Sequence, residues 1–302
     1  MSRRRGRILI GLSGWKYAPF RGKFYPRRLR QADELAYAAE RFPTLEINGS
    51  FYSLQKPEYY ARWHDETPEG FVFAVKGGRF ITHMKKLVNV ETPLANFFAS
   101  GVLRLEEKLG PFLWQFPTAV PCDAPRFEAF FRLLPRDTFE AAKLAKKHDP
   151  WLKGRVSVSS SARRSLRHAV EVRSASCTTP EFVQLLRRHD IGLVVADTAG
   201  KFPYQEDVTS DFVYVRLHGD EELYSSGYSP TGIAHWAKRV TAWASGEQPT
   251  KPSLVSSDLP ARRRRDVYVY FDNDARGHAP FDALALIQAV DKRATHSGSH
   301  SS

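Results

Sequence analysis

Eight short runs rich in apolar, β-branched and aromatic residues recur along the chain, separated by longer stretches with helical spacing, and this alternation limits the fold more than any other feature. The runs are Ile8 to Leu12, Thr44 to Asn48, Phe71 to Lys76, Pro111 to Phe116, His168 to Arg173, Gly192 to Asp197, Phe212 to Leu217 and Val267 to Phe271. Helical spacing covers about Ala32 to Arg41, Pro57 to Glu66, Pro93 to Lys108, Pro125 to Lys147, Pro180 to His189, Thr231 to Ser245 and Pro280 to Lys292. The sixth crossover, Gly200 to Ser210, is too short for a full helix. Strands alternating with helices predict a parallel sheet. Eight such units predict an α/β fold, a single (β/α)8 TIM barrel, for which about 250 residues is typical.

Pro57, Pro93, Pro125, Pro180 and Pro280 each sit near a predicted helix start, where the missing N–H costs nothing. Two stretches break the spacing, Asp149 to Arg167 and Gly246 to Arg265. Both precede a strand, so they are expected as insertions before the fifth and eighth strands, on the face opposite the strand C-termini. The expected layout is a basic arm over residues 1–7, the barrel over 8–294 and a disordered tail over 295–302.

The net charge is +12, but the first 30 residues hold ten basic residues and no acidic one, so the remainder is nearly balanced. A uniformly cationic, nucleic-acid-coating protein is therefore not what the composition describes. Cys122 and Cys177 show no metal-ligand spacing, and a reducing, cytoplasmic setting is the simpler expectation. No run approaches the roughly 18 apolar residues of a membrane helix. Ile8 to Leu12, although it follows basic residues, is too short for a signal peptide and lacks a cleavage site, so it is expected as the first strand.

Strands covered on both faces should be apolar throughout, so polar residues inside them are the informative exceptions. They gather at the C-terminal ends: Glu46 and Asn48, Lys76, Gln115, Glu171 and Arg173, Asp197, Arg216 and His218, then Asp272, Asn273 and Asp274. Side chains two apart share a side, which pairs Glu46 with Asn48, Glu171 with Arg173 and Arg216 with His218. If those sides face the barrel axis, they converge in one mouth, where barrel active sites lie. The alternative is a buried ion-pair network that merely closes the barrel.

These residues resemble the YecE-like family, catalogued as domain of unknown function 72. The likeness runs from Gly11 to about Ala289. It is carried by Gly11 to Trp15, Phe24 to Pro26, Glu46 to Asn48 with Phe51 and Tyr52, Lys76 to Arg79, Thr82 with His83, and Gln115 to Pro117. Further on it includes Glu171 to Arg173, Asp197, Tyr214 to Gly219, Tyr224, Tyr228 and Tyr270 to Asp274. The resemblance implies a TIM barrel and assigns no reaction. The chain departs from the family pattern where Ser174 and Cys177 stand in place of a His and an aromatic, and where Asp272 stands in place of a frequent Asn. The second change implies an added negative charge in the mouth.

Candidate proton carriers are His218, Glu46, Glu171, Asp197 and His83. Candidate substrate-binding residues are Trp15, Asn48, Tyr52, Lys76, Arg79, Gln115, Arg173, Arg216, Tyr228, Asn273 and Asp274, the cations suiting a phosphate or carboxylate and the aromatics a planar or sugar-like ligand. Tyr224 to Tyr228 is a candidate lid hinged at Gly227. No motif implies a cofactor. A divalent metal on Glu46, Glu171, Asp197, His83 and His218 has only weak spacing support. Three readings stand: an enzyme with hydrolase-like acid/base chemistry on a small anionic substrate, a nucleic-acid-binding or metal-dependent phosphodiester-cleaving barrel by fold analogy, and a non-catalytic ligand-binding barrel. Oligomeric state stays open.

Overall fold

A computed structural model of the chain describes residues 6–298. Strands β1 (Ile8–Ser13), β2 (Thr44–Ile47), β3 (Val72–Lys76), β4 (Leu109–Phe116), β5 (His168–Val172), β6 (Gly192–Asp197), β7 (Phe212–Leu217) and β8 (Asp266–Phe271) pair in parallel in sequence order. The ring closes where β8 meets β1, in a register running from Ile8 opposite Val267 to Leu12 opposite Phe271. The alternation of the strands divides their side chains cleanly. Ile10, Leu12, Ile47, Phe73, Val75 and Trp114 point outward into the core beneath the helices. Leu9, Val72, Ala74, Leu113, Val194, Phe212, Tyr214, Tyr268 and Tyr270 fill the barrel itself. Both faces are dry, which is why the strands read as nearly continuous apolar runs.

The helices are α1 (Glu34–Ala39), α2 (Gly49–Tyr52), α3 (Pro57–Asp65), α4 (Glu91–Ala99), α5 (Ala124–Leu133), α6 (Thr138–Ala145), α7 (Pro180–Arg188), α8 (Pro230–Ser245) and α9 (Ala279–Gly298). Two expected helices are each divided. Pro93 to Lys108 ends as an α-helix at Ala99, because Gly101 turns left-handed at φ 102°, and continues over Val102–Lys108 as two short 3-10 turns that meet in a kink at Glu106, φ 50°. Pro125 to Lys147 splits at Pro135, which cannot continue a helix and holds Leu134 extended. Asp137 then starts α6 by accepting hydrogen bonds from the Phe139 and Glu140 amides, both at 2.9 Å. The last helix runs to Gly298, six residues beyond the expected Lys292.

Both insertions are loops pinned to the barrel. Asp149 exchanges hydrogen bonds of 2.7 and 2.8 Å with the Asn96 side chain, and the Ser157 amide donates to the Ala99 carbonyl. The second insertion covers the helix-free β6 to β7 crossover: Asp207 accepts from the Val255 and Ser256 amides at 2.8 and 3.0 Å. At the N-terminal end of the barrel, Arg167 acts as a plug. It pairs with Asp266 at 2.8 Å and Asp211 at 2.9 Å, donates to the Tyr268 hydroxyl and lies over the Phe212 ring. The Arg7 amide donates to Asp266 and the Arg265 guanidinium to the Ala261 and Arg263 carbonyls, so these basic residues sit at the same end. Arg3 to Arg5 and residues 299–302 lie outside the described residues. Among the described residues no helix is long and apolar enough to cross a membrane.

Gly77, immediately after β3, packs against Trp114 so closely that an added Cβ would fall 2.2 Å from the indole ring. Trp114 is fully buried among Phe97, Phe112 and Phe130 and cannot retreat. Gly77→Ala should therefore destabilise the fold by about 2 kcal/mol in urea denaturation. Unchanged stability would mean that this corner of the barrel yields.

Candidate functional site

The upper layer inside the barrel is charged. Because Tyr214 and Tyr270 face the axis, residues two further along β7 and β8, Arg216 and Asp272, do the same. Ser13, Glu46, Lys76, Gln115 and Glu171 occupy the matching level of their strands. Arg216 is wholly buried and joins this layer together. Its Nη2 donates to Ser13 Oγ at 2.8 Å, Glu46 Oε1 at 3.0 Å and Asp272 Oδ2 at 2.8 Å, and its Nη1 donates to Glu171 Oε2 at 2.8 Å. Burial opposes a charged guanidinium here, but the three carboxylates outweigh it and hold Arg216 protonated. Burial likewise favours neutral Glu171 and Asp272, and the Arg216 charge overrides it, keeping both well below the ordinary carboxylate range. From beneath, the Tyr214 hydroxyl donates to Glu46 Oε2 at 2.6 Å, while the Tyr270 hydroxyl pairs with Thr44.

Above this layer opens a cavity of about 800 Å³. One wall carries Lys76, Arg79, His83 and Gln115, and Arg173 and Tyr224 also line the space. Arg173 donates to Glu171 at 3.0 Å and to the Tyr224 hydroxyl at 3.0 Å, and its guanidinium lies 4.5 Å from the Phe202 ring centroid. Its Nη1 has no protein partner among the described residues. Arg79 lies over Tyr52 and Lys76 over Phe51. Asn48 donates to both Ser13 Oγ and the Ser13 carbonyl, leaving its Oδ1 without a partner among the described residues. Tyr17, which donates to the Ser13 carbonyl at 2.7 Å, lines the cavity with Asp274. Burial, reinforced by the Asp272 charge, raises the Asp274 carboxyl to about 6. Burial and then the Lys76, Arg173 and Arg79 charges lower His83 to about 4, so it is neutral at pH 7.

The structure thus brings Asn48, Tyr52, Lys76, Arg79, His83, Gln115, Arg173 and Asp274 to the cavity, with Glu46, Glu171 and Arg216 beneath it. Other candidates lie elsewhere. Asp197 follows the inward Ala196 by one residue, so it points outward and accepts from the Tyr228 hydroxyl at 3.0 Å, beside a separate cavity that includes His235 and Trp236. Asn273 is outward for the same reason and bonds Asp282 and the Ser226 carbonyl. Gly14 takes φ 94° after β1, and Trp15 is turned into the core against Trp63 and Phe73. His218 is completely buried, its Nδ1 3.0 Å from Asp272 and its ring edge against Tyr224, and it does not line the cavity. Gly219 does permit close approach, of backbone: a Cβ there would lie 2.4 Å from the Glu222 carbonyl oxygen.

Ser13 and Tyr17 join the site without having been candidates, and Asp272, expected as an added negative charge in the mouth, is a partner of Arg216. The period of two shared with Leu9 and Gly11 marks Ser13, and Tyr268 and Tyr270 mark Asp272 in the same way. Tyr17 lies in a turn, where no periodic signal reaches. Among the described residues no group of three His, Cys, Asp or Glu side chains is arranged to hold a metal ion, because Arg216 already occupies the central carboxylates.

A closed parallel eight-stranded ring whose strand C-termini surround a charged cavity is the architecture of a TIM-barrel protein. The family model described as "Protein of unknown function DUF72" matches residues 9–301, and the chain belongs to that family. It is 31% identical over 298 residues to the UPF0759 protein YunF of Bacillus subtilis, covering 94% of this chain and 95% of that one. It is 29% identical over 130 residues to the UPF0759 protein YecE of Escherichia coli, covering 42% of this chain and 44% of that one. Among solved structures, a DUF72 family protein from Thermotoga maritima superposes with a TM-score of 0.71 at 23% identity, covering 94% of this chain and 99% of that one. One from Enterococcus faecalis gives 0.68 at 20% identity, covering 94% and 95%. These structures share the barrel fold.

Proposed function

We propose that the mouth is an active site for proton-transfer chemistry on a small anionic substrate bearing a phosphate or carboxylate. The observation that carries this reading is the set of polar ends around one cavity that no protein group among the described residues satisfies: Arg173 Nη1, the Lys76 amine, the Gln115 amide and Asn48 Oδ1. Polar groups placed this deep normally have partners, and a ligand supplies them. Arg173 offers a guanidinium edge to an anion, and Asp274, titrating near 6, can take and return a proton at neutral pH.

The proton carrier is then Asp274 rather than the Glu46 and Glu171 pair. Those two carboxylates are bridged by one guanidinium, and Glu171 stays ionised, so it has no proton to give. Hydrolysis by two opposed carboxyl groups, as in glycosidases, finds no support in this arrangement. Inorganic phosphate should raise the melting temperature of the protein, and Arg173→Gln should weaken phosphate binding at least about tenfold, measured by calorimetry. Wild-type protein that binds neither phosphate nor a small carboxylate would remove the basis for this reading.

A further inference from the structure

Among the described residues two lysines are buried, and they are treated very differently. Lys108, 5% exposed, donates to the His64 carbonyl, the Thr67 carbonyl and the Thr67 hydroxyl at 2.6 to 3.2 Å. That is how a buried ammonium is normally held, with its three donors matched by acceptors. Lys76, 8% exposed at the end of β3, has no hydrogen bond or ion pair from its amine to any described residue. Its nitrogen stands 4.3 Å from the Phe51 ring centroid and borders the cavity. The carboxylates at its level, Glu46, Glu171 and Asp272, are all engaged by Arg216. The fold has therefore brought an amine to the mouth and left it uncommitted.

We propose that Lys76 is a nucleophile that forms a Schiff base with an anionic aldehyde or ketone held in the mouth. The proposal rests on the reading of the mouth as an anion-binding active site. A nucleophilic lysine needs desolvation or a neighbouring cation, and Lys76 has both. Burial, with the Arg216 charge added, lowers it to about 8, so roughly one molecule in ten carries the free amine at pH 7. In the step itself the nitrogen lone pair forms a C–N bond with the carbonyl carbon, and the π electrons move to oxygen, which takes a proton. The nitrogen gives up one proton, the hydroxyl takes another, and the C–O bond breaks to release water and leave an iminium. No oxidant or reductant is consumed. Asp274 and the neutral His83 border the same cavity and can carry these protons. Arg173 and Arg79 select a carbonyl compound that also bears a carboxylate or phosphate.

The test is trapping on the full chain. Protein is incubated with pyruvate in one arm and glycolaldehyde phosphate in the other, reduced with sodium borohydride, and mapped by peptide mass. The expected result is an adduct on Lys76 in at least one arm, formed at least about tenfold faster than on surface lysines such as Lys16 or Lys238. The arm that labels identifies the anionic group. Labelling of Lys76 should rise with pH and level off above about 8, whereas surface lysines keep rising towards about 10.4. Lys76→Arg should abolish the adduct, and inorganic phosphate should suppress it in the wild type. If Lys76 labels no faster than the surface lysines in either arm while phosphate still binds through Arg173, the Schiff base is wrong and the anion site stands. If phosphate does not bind either, both readings fall.

Discussion

Arg216→Met should cost the protein about 3 to 5 kcal/mol of stability at pH 7, enough to threaten folding at physiological temperature. The guanidinium meets Glu46, Glu171 and Asp272 at 2.8 to 3.0 Å, and an apolar replacement leaves two buried carboxylates and the partly buried Asp272 facing one another. Arg216→Lys should recover only part of the loss, because one ammonium cannot present two donor edges to acceptors on opposite sides. The effect should depend on pH in a defined direction. Glu171 and Asp272 have lowered values in the folded state, so their contribution is present above the unfolded carboxylate value of about 4 and disappears as pH falls through the folded values. In the variant the same carboxylates protonate more readily. The gap between the two proteins in urea denaturation should therefore narrow from pH 7 to pH 4. Equal stability at pH 7 would show that the network contributes nothing net.

Lys76→Met should act in the opposite direction and stabilise the fold by about 3 kcal/mol at pH 7, as expected where a functional group is kept at the expense of stability. The lysine is lowered from 10.5 to about 8, so the folded protein binds its proton more weakly than the unfolded chain does. Below pH 8 both states are protonated and the full penalty applies. Between pH 8 and about 10.5 the folded state has released the proton and the unfolded state has not, so wild-type stability rises with pH. The advantage of the methionine variant should fade across that window. A destabilised Lys76→Met would instead make the lysine a needed counter-ion for the carboxylates beneath it.

The barrel was legible because each strand carries its own signal. Runs such as Gly192 to Asp197 and Phe212 to Leu217 coincide with β6 and β7, since a strand dry on both faces has little choice but Val, Leu, Phe and Tyr. Helix continuity was less legible. Apolar spacing ran through Pro135 and Gly101, but local backbone chemistry broke the helices there. For the site, the period of two placed Glu46, Glu171 and Arg216 correctly on one side. A polar residue at a strand end does not announce its direction, however, and Asp197 and Asn273 fall one residue out of step with the inward set. What the sequence could not disclose was allocation. Glu46, Glu171, Lys76 and Asp274 are equally polar on paper, yet only the assembled ring gives the first two to Arg216, leaves the third uncommitted and lifts the fourth to about 6.

Arg216 reaches Ser13, Glu46, Glu171 and Asp272 across 203, 170, 45 and 56 residues of chain. None of these partnerships belongs to a single βα unit, and two of them require β1 and β2 to have returned to the side of β7. Such distant contacts are made only after the intervening loops have been closed. The guanidinium is thus a latch set at the end of assembly. Interactions missing from the folding transition state do not hasten it; they retard the reverse passage. The charged layer that floors the cavity also governs how long the ring, once shut, stays shut.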